Sequence, residues 1–268
     1  MTFQPVVPLS GYVGWRFLER TLDNQQQAYS TSQPIMRATD YFRENIADVV
    51  TAEQLVSDRQ LLSVALGAFG LDDDIDNRFF IQTILEEGTL DDDALANRLA
   101  DPRYADFART FGFGDRILAR TSLTSFPDEI IARFETRQFE RAVGEQNNDL
   151  RLAMNVEDGL SDILDRTQSE TAQWFSIMGN PPLRNVFQTA LGLPTSIASI
   201  DLDKQLDVFQ ERSRSVFGTD KIADFQDPEQ QENLIRMFLV RAEAASINTV
   251  SGGSAALTLL QSAPSLFG

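Results

Sequence analysis

The sequence predicts an all-α fold, a multi-helix protein built from two tandem related helical units. Three observations lead there. Apolar residues recur at the i, i+3, i+4, i+7 spacing of amphipathic helices. No convincing period-two run of β-branched residues appears. One ordered set of patterns also occurs twice. Leu61–Leu71 is LLSVALGAFGL and Leu183–Leu193 is LRNVFQTALGL, an offset of 122 residues. At that offset Leu61, Val64, Ala68, Gly70 and Leu71 fall on Leu183, Val186, Ala190, Gly192 and Leu193. Leu55–Val56 falls on Ile177–Met178, and Leu18–Leu22 resembles Phe139–Val143. Asp101–Pro102 with Phe107 and Phe111 resembles Asp227–Pro228 with Leu234 and Phe238. Such order at nearly constant spacing predicts a duplicated unit of about 120 residues.

Residues 1–10 are expected to be extended and mobile, since Pro5 and Pro8 interrupt any regular helix. The first helical unit is placed at 11–122. Within it, Thr51-x-x-Gln54 has the form of a capping box. Leu61, Val64, Ala65 and Ala68 share one helix face. Gly70 then supplies the left-handed residue that stops the helix, with Leu71 as the apolar contact after it. In LDDDALANRL, Leu90–Leu99, three aspartates form an N-terminal charge cluster ahead of Leu95 and Leu99. Asp101–Pro102 reads as an N-cap followed by proline at the first helical position.

The second unit is placed at 123–245. Ser125–Asp128 opens the longest predicted helix, whose apolar stripe runs from Ile130 through Phe134, Phe139, Val143, Leu150 and Met154 as far as Leu164. GEQNNDLR, Gly144–Arg151, would suit a polar helix–helix contact. Gly192–Leu193–Pro194 repeats the glycine stop, and Asp227–Pro228 repeats the helix start. Residues 246–268 form an uncharged tail, expected to be flexible, with Ser251–Ser254 (SGGS) as its hinge. Its Leu257, Leu259, Leu260, Leu266 and Phe267 are the candidate partner-docking residues.

Composition narrows the function. The net charge of −17 repels phosphate backbones and anionic lipid, so neither nucleic acid nor membrane is an expected partner. No stretch approaches the ~20 apolar residues a membrane helix needs, and MTFQPVVPLSGYVGW lacks the basic start of a signal peptide. Synthesis in the cytoplasm is expected. With no cysteine and no histidine, thiolate nucleophiles, disulfides, Cys/His zinc sites and imidazole catalysis are excluded. What remains are carboxylates, hydroxyls and two lysines, Lys204 and Lys221. The expectation is a non-enzymatic protein without cofactor or metal.

The stretch GLDDDIDNRFF, Gly70–Phe80, sets Asp72, Asp74 and Asp76 at alternate positions, as the start of a calcium loop would. Counted from Asp72, however, position 6 is Asn77 and position 12 is Thr83. The turn glycine and the bidentate glutamate are therefore both missing. The matching region after Leu193 lacks the acidic triplet, which favours a helix-capping role for these aspartates. Lys204 lies among DLDKQLDVF as a solvated helix face, and Lys221 sits in a charged turn. Phe107, Phe111, Phe113, Phe134, Phe139 and Trp174 are expected in the core.

Three segments carry a resemblance. Tyr41–Leu71 (YFRENIADVVTAEQLVSDRQLLSVALGAFGL), Leu95–Phe113 (LANRLADPRYADFARTFGF) and Arg137–Met154 (RQFERAVGEQNNDLRLAM) are similar to the bacterial family of unknown function DUF1217. The similarity runs from about Gly11 to about Arg241, and the second copy lacks the DPRY phrase. The resemblance implies a helical protein, often with more than one copy of its unit, encoded in many cases beside flagellar genes; it brings no catalytic or binding residues. It implies a non-enzymatic structural or assembly protein of the flagellum, acting through contacts with flagellar components or with itself and exported to that organelle. The alternative is a cytoplasmic acidic helical adaptor for a basic partner. A carboxylate-based hydrolase comes third.

Overall fold

The computed structural model describes residues 3–99 and 101–262, with side chains through residue 246. Among these residues the chain forms fourteen α-helices, five short 3-10 helices and no strand. It is all-α. Two compact units are present. Unit 1 comprises Met1–Val6 and Arg20–Gln146; unit 2 comprises Val7–Glu19 and Asn147–Gly268. The first helix, α1 (Gly11–Ser30), contributes its earlier residues to unit 2 and its later ones to unit 1.

Unit 1 is built around α4 (Arg59–Gly67), which packs against α2 (Gln33–Asn45), α3 (Ala52–Ser57) and α8 (Phe126–Gln146). Leu61, Leu62, Val64, Ala65 and Leu66 are all buried, so α4 is apolar on nearly every side. Gly67 allows the close approach of α8, because a Cβ there would lie 2.8 Å from the Phe134 ring. The starts of both short helices follow from their side chains. Thr51 accepts from the Gln54 N–H at 3.2 Å while Gln54 accepts from the Thr51 N–H at 3.2 Å, completing the predicted capping box of α3. Asp58 caps α4 by accepting from the Gln60 and Leu61 N–H groups at 2.9 and 3.0 Å. The helix stops as predicted. Gly70 has φ +67°, and the Leu71 N–H reaches back to the Leu66 carbonyl at 3.0 Å. Beyond lie α5 (Arg78–Glu87), the short α6 (Leu95–Arg98) and α7 (Arg103–Phe111). Phe107 and Phe111 of α7 are fully buried, while Phe69 and Leu71 are nearly so.

Unit 2 contains α9 (Asn148–Met154), α10 (Val156–Arg166), α11 (Glu170–Gly179), α12 (Pro181–Leu191), α13 (Leu202–Phe217) and α14 (Pro228–Ser262). Here α12 is central, packed on α14, α11 and α13. Asn180 accepts from the Leu183 N–H at 3.2 Å, Gly192 has φ +67°, and the Leu193 N–H bonds the Gln188 carbonyl at 2.9 Å. Trp174 packs edge-on against Phe187, with ring centroids 5.6 Å apart, and donates from its indole to the Asp220 carbonyl at 2.7 Å.

Several sequence expectations need correction. The boundary between units falls after Gln146, not after residue 122, because Phe126, Ile130, Ile131 and Phe134 of α8 bury in the core of unit 1. The helix expected to run to Leu164 breaks twice. Asn147, at φ −151°, is extended and caps α9 through the Leu150 N–H, and Asn155 separates α9 from α10. GEQNNDLR is thus a helix-to-helix junction. The match of Asp101–Pro102 to Asp227–Pro228 is local only. Beside α12 packs α14, but beside α4 packs α8, and α7 packs on α5. Ser251–Ser254 is part of α14 and not a hinge, since glycine weakens a helix by about 1 kcal/mol against alanine without blocking its hydrogen-bond ladder. Residues 3–10 are non-helical as expected but tethered. The Val6 N–H donates to Gln25 at 2.6 Å and Gln146 donates to the Pro5 carbonyl at 2.6 Å.

Candidate functional site

The acidic turn after Gly70 has a definite task. Asp72–Asp74 wind into a single 3-10 turn, which at about three residues per turn points successive carboxylates in different directions. Asp72 accepts from Gln138 at 2.7 Å and from Arg141 at 2.9 Å. Asp74 accepts from Asn77 at 2.7 Å and from the Tyr104 hydroxyl at 2.7 Å. Asp76 pairs with Arg59 at 2.7 Å. The expected capping role is corrected: no aspartate side chain caps the turn or α5. The carboxylates instead brace α8, α7 and α4 against one turn. Burial, then the bond to Asp74, raises the Tyr104 hydroxyl to about 12. A cleft of about 250 Å³ beside this turn is lined by Arg59, Ser63, Leu66, Asp72, Ile75 and Arg141, with its charges paired internally. Among the described residues no three acidic, histidine or cysteine side chains converge as metal ligands would.

Arg103 adds a second brace in the same region. Its guanidinium grips Asp101 through Nε at 3.0 Å and through a terminal nitrogen at 2.6 Å, and it also donates to the Gly70 carbonyl. The aspartates of LDDDALANRL do not cap a long helix either. α6 has one turn, its Leu95 N–H is taken by Glu87 at 2.6 Å, and Asp91 accepts from the Asp93 N–H at 2.9 Å. Lys204 and Lys221 are exposed.

Unit 2 brings together groups far apart in sequence. Tyr12 donates to Glu232 at 2.6 Å, with the Trp15 indole and Arg16 each 3.4 Å from the same carboxylate. Ser10 donates to Glu243 at 3.0 Å. Gly11, at φ +62°, leaves room for that carboxylate where a Cβ would collide with it. The bond to Glu232 holds the Tyr12 hydroxyl above its ordinary range. The early residues of α1 are therefore pinned along α14, and Val13 and Val240 stay exposed on these two helices.

Of the predicted docking residues, Leu257, Leu259 and Leu260 lie on the α14 backbone, but their side chains are outside the described ones. Leu266 and Phe267 lie outside the described residues altogether. Sequence reasoning missed the pairing around Glu232. It also missed three exposed apolar side chains in unit 1: Leu90, Ile117 and Leu118. The signal available for the latter was a pair of adjacent aliphatics in a polar loop, DRILAR.

The model of the family DUF1217, a protein of unknown function, matches residues 68–230. The chain belongs to the DUF1217 family. Among solved structures, this DUF1217 protein is similar to the crystal structure of protein AGR_C_984 from Agrobacterium tumefaciens, at 28% identity and a TM-score of 0.71. The similarity covers 90% of this chain and 98% of that one. No curated protein matches.

Proposed function

We propose that this DUF1217 protein is a non-enzymatic structural or assembly component associated with the bacterial flagellum, acting through protein–protein contacts and exported to that organelle. The observation that supports the reading best is the pinning of α1 to α14 around Glu232. It gathers two distant segments into one helical pair, and α14 is 35 residues long in all. A long helix anchored at one end suits lateral docking on another helical surface. Family membership adds the flagellar association implied by the resemblance, and the absence of cysteine is compatible with passage through a narrow export channel.

Deletion of the gene should impair motility, and variants with single neutralised carboxylates should restore it. Removing residues from Ser251 onward should damage motility more than any such change while leaving thermal stability nearly unchanged. Full motility in the deletion strain would remove the flagellar reading. The second reading, an acidic adaptor for a basic partner, draws on the apolar residues beside Asp91–Asp93 in unit 1.

A further inference from the structure

Two segments of unit 1 are pressed together where α5 ends. The Asp115 carboxylate accepts from the Thr89 N–H at 2.5 Å, the Thr89 hydroxyl at 2.9 Å and the Leu90 N–H at 3.2 Å. Asn97 ties the same strand of chain by donating to the Thr89 carbonyl at 2.9 Å and the Asp91 carbonyl at 2.8 Å. Gly114 sits so close that a Cβ there would lie 2.6 Å from the Gly88 nitrogen. Leu90 and Ile117–Leu118 thus project from one fixed junction, and none of them is covered. Their exposures are 78%, 104% and 79%.

Single exposed aliphatics are ordinary, but three on the two segments of one hydrogen-bonded junction are not. Their rim is acidic. Asp91, Asp92 and Asp93 follow Leu90 directly, all exposed, and no ion pair to them occurs among the described residues. Glu86 is exposed nearby, and Arg116, directly before the aliphatic pair, turns back along Gly112. The junction also lies in a segment without counterpart in unit 2, where Gly218 leads through a single 3-10 turn directly to α14.

We infer that Leu90, Ile117, Leu118 and Asp91–Asp93 form a docking surface for a basic amphipathic segment of a partner protein. The inference rests on the reading that the chain acts through protein contacts. Apolar side chains on the partner would cover the three aliphatics, and lysine or arginine at its flanks would meet the aspartates. The rim charge would favour encounter and choose the partner's sign, while burial of Ile117 and Leu118 would hold the complex. Another copy of this acidic chain is repelled by the same rim.

The test uses the full chain and a synthetic peptide of about 18 residues, leucine and lysine, with leucines at helical spacing. Affinity is measured by fluorescence anisotropy at several salt concentrations. I117S/L118S should weaken binding about tenfold or more, the effect of losing two central apolar contacts. F79S removes an equally exposed ring on α5 and should leave affinity unchanged. D91N/D92N/D93N should weaken binding and flatten its salt dependence. D203N/D207N/E211Q, which neutralises three exposed carboxylates on α13, should do neither. Equal losses from the two charge sets would mean diffuse attraction to an acidic surface and would overturn the proposal. So would unchanged affinity in I117S/L118S, or sedimentation showing a dimer that depends on Ile117 and Leu118. Any of these with a motility defect still present would remove this surface and leave the proposed function standing.

Discussion

Truncation of Phe111 offers a direct test of how unit 1 is held together. Its ring is fully buried, with centroids 5.0 Å from Phe107, 5.1 Å from Phe126, 5.8 Å from Phe113 and 6.5 Å from Phe69. Phe111→Ala removes the transfer energy of the ring and leaves a cavity walled by other rings. Those rings are carried on α7, α8 and the turn after α4, so they cannot easily close over the gap. The expected cost is about 3–5 kcal/mol, with the edge-to-face contact to Phe126 adding to the burial term. The assay is urea unfolding followed by far-UV circular dichroism and by tryptophan emission. Both tryptophans, Trp15 and Trp174, belong to unit 2, so emission follows that unit while dichroism follows both. The dichroic transition should move to lower urea, and its separation from the emission transition would measure how independently the units unfold. A loss below about 1 kcal/mol would refute the packing argument, since that is the cost of a substitution at an exposed site.

Three further outcomes are expected. Tyr104 should ionise near 12 in a spectrophotometric titration, and its contribution to stability should be complete below pH 10 and lost as pH rises through 12; Tyr104→Phe should abolish that alkaline loss. At Asp58, burial alone would raise the carboxyl, but bonds from the Leu61 N–H, the Tyr41 hydroxyl and the Gln60 N–H bring it below its ordinary 3.8. Asp58→Ala should therefore cost about 1–2 kcal/mol at neutral pH and less once pH falls through the lowered value, whereas Asp58→Asn should be milder because Asn180 caps α12 in the same way. Millimolar calcium should leave the melting temperature unchanged; a rise of several degrees that Asp74→Asn abolishes would overturn the bracing role given to the acidic turn.

Local chemistry was legible in the sequence. The capping box at Thr51 and the glycine stops at Gly70 and Gly192 depend on neighbours a few residues away, and Phe107 and Phe111 declare their burial by sharing the apolar face of one amphipathic helix. Where the outcome depended on distant partners, the sequence misled. Asp72, Asp74 and Asp76 resemble caps until Gln138, Tyr104 and Arg59 arrive to claim them. The apolar stripe from Ile130 to Leu164 hides two breaks; at the first, Asn147 leaves the helical conformation, which asparagine does at little cost, and caps the helix after it. The docking surface was invisible for a related reason. An aliphatic pair in a loop shows its exposure only once the loop is tied in place, here by Asp115.

The pairing of α1 with α14 also bears on how the chain is made. Unit 1 has all its residues once Gln146 has been added, so its core can close while synthesis continues. Tyr12 must wait for a partner 220 residues later, roughly 10–40 s at ordinary translation speeds. During that interval the earlier residues of α1 have no surface of unit 2 to rest on, although the helix they belong to is already rooted in unit 1. A nascent protein of this design passes through a stage with one finished unit and one unclaimed helical arm. Anything that binds nascent chains would meet that arm before α14 does.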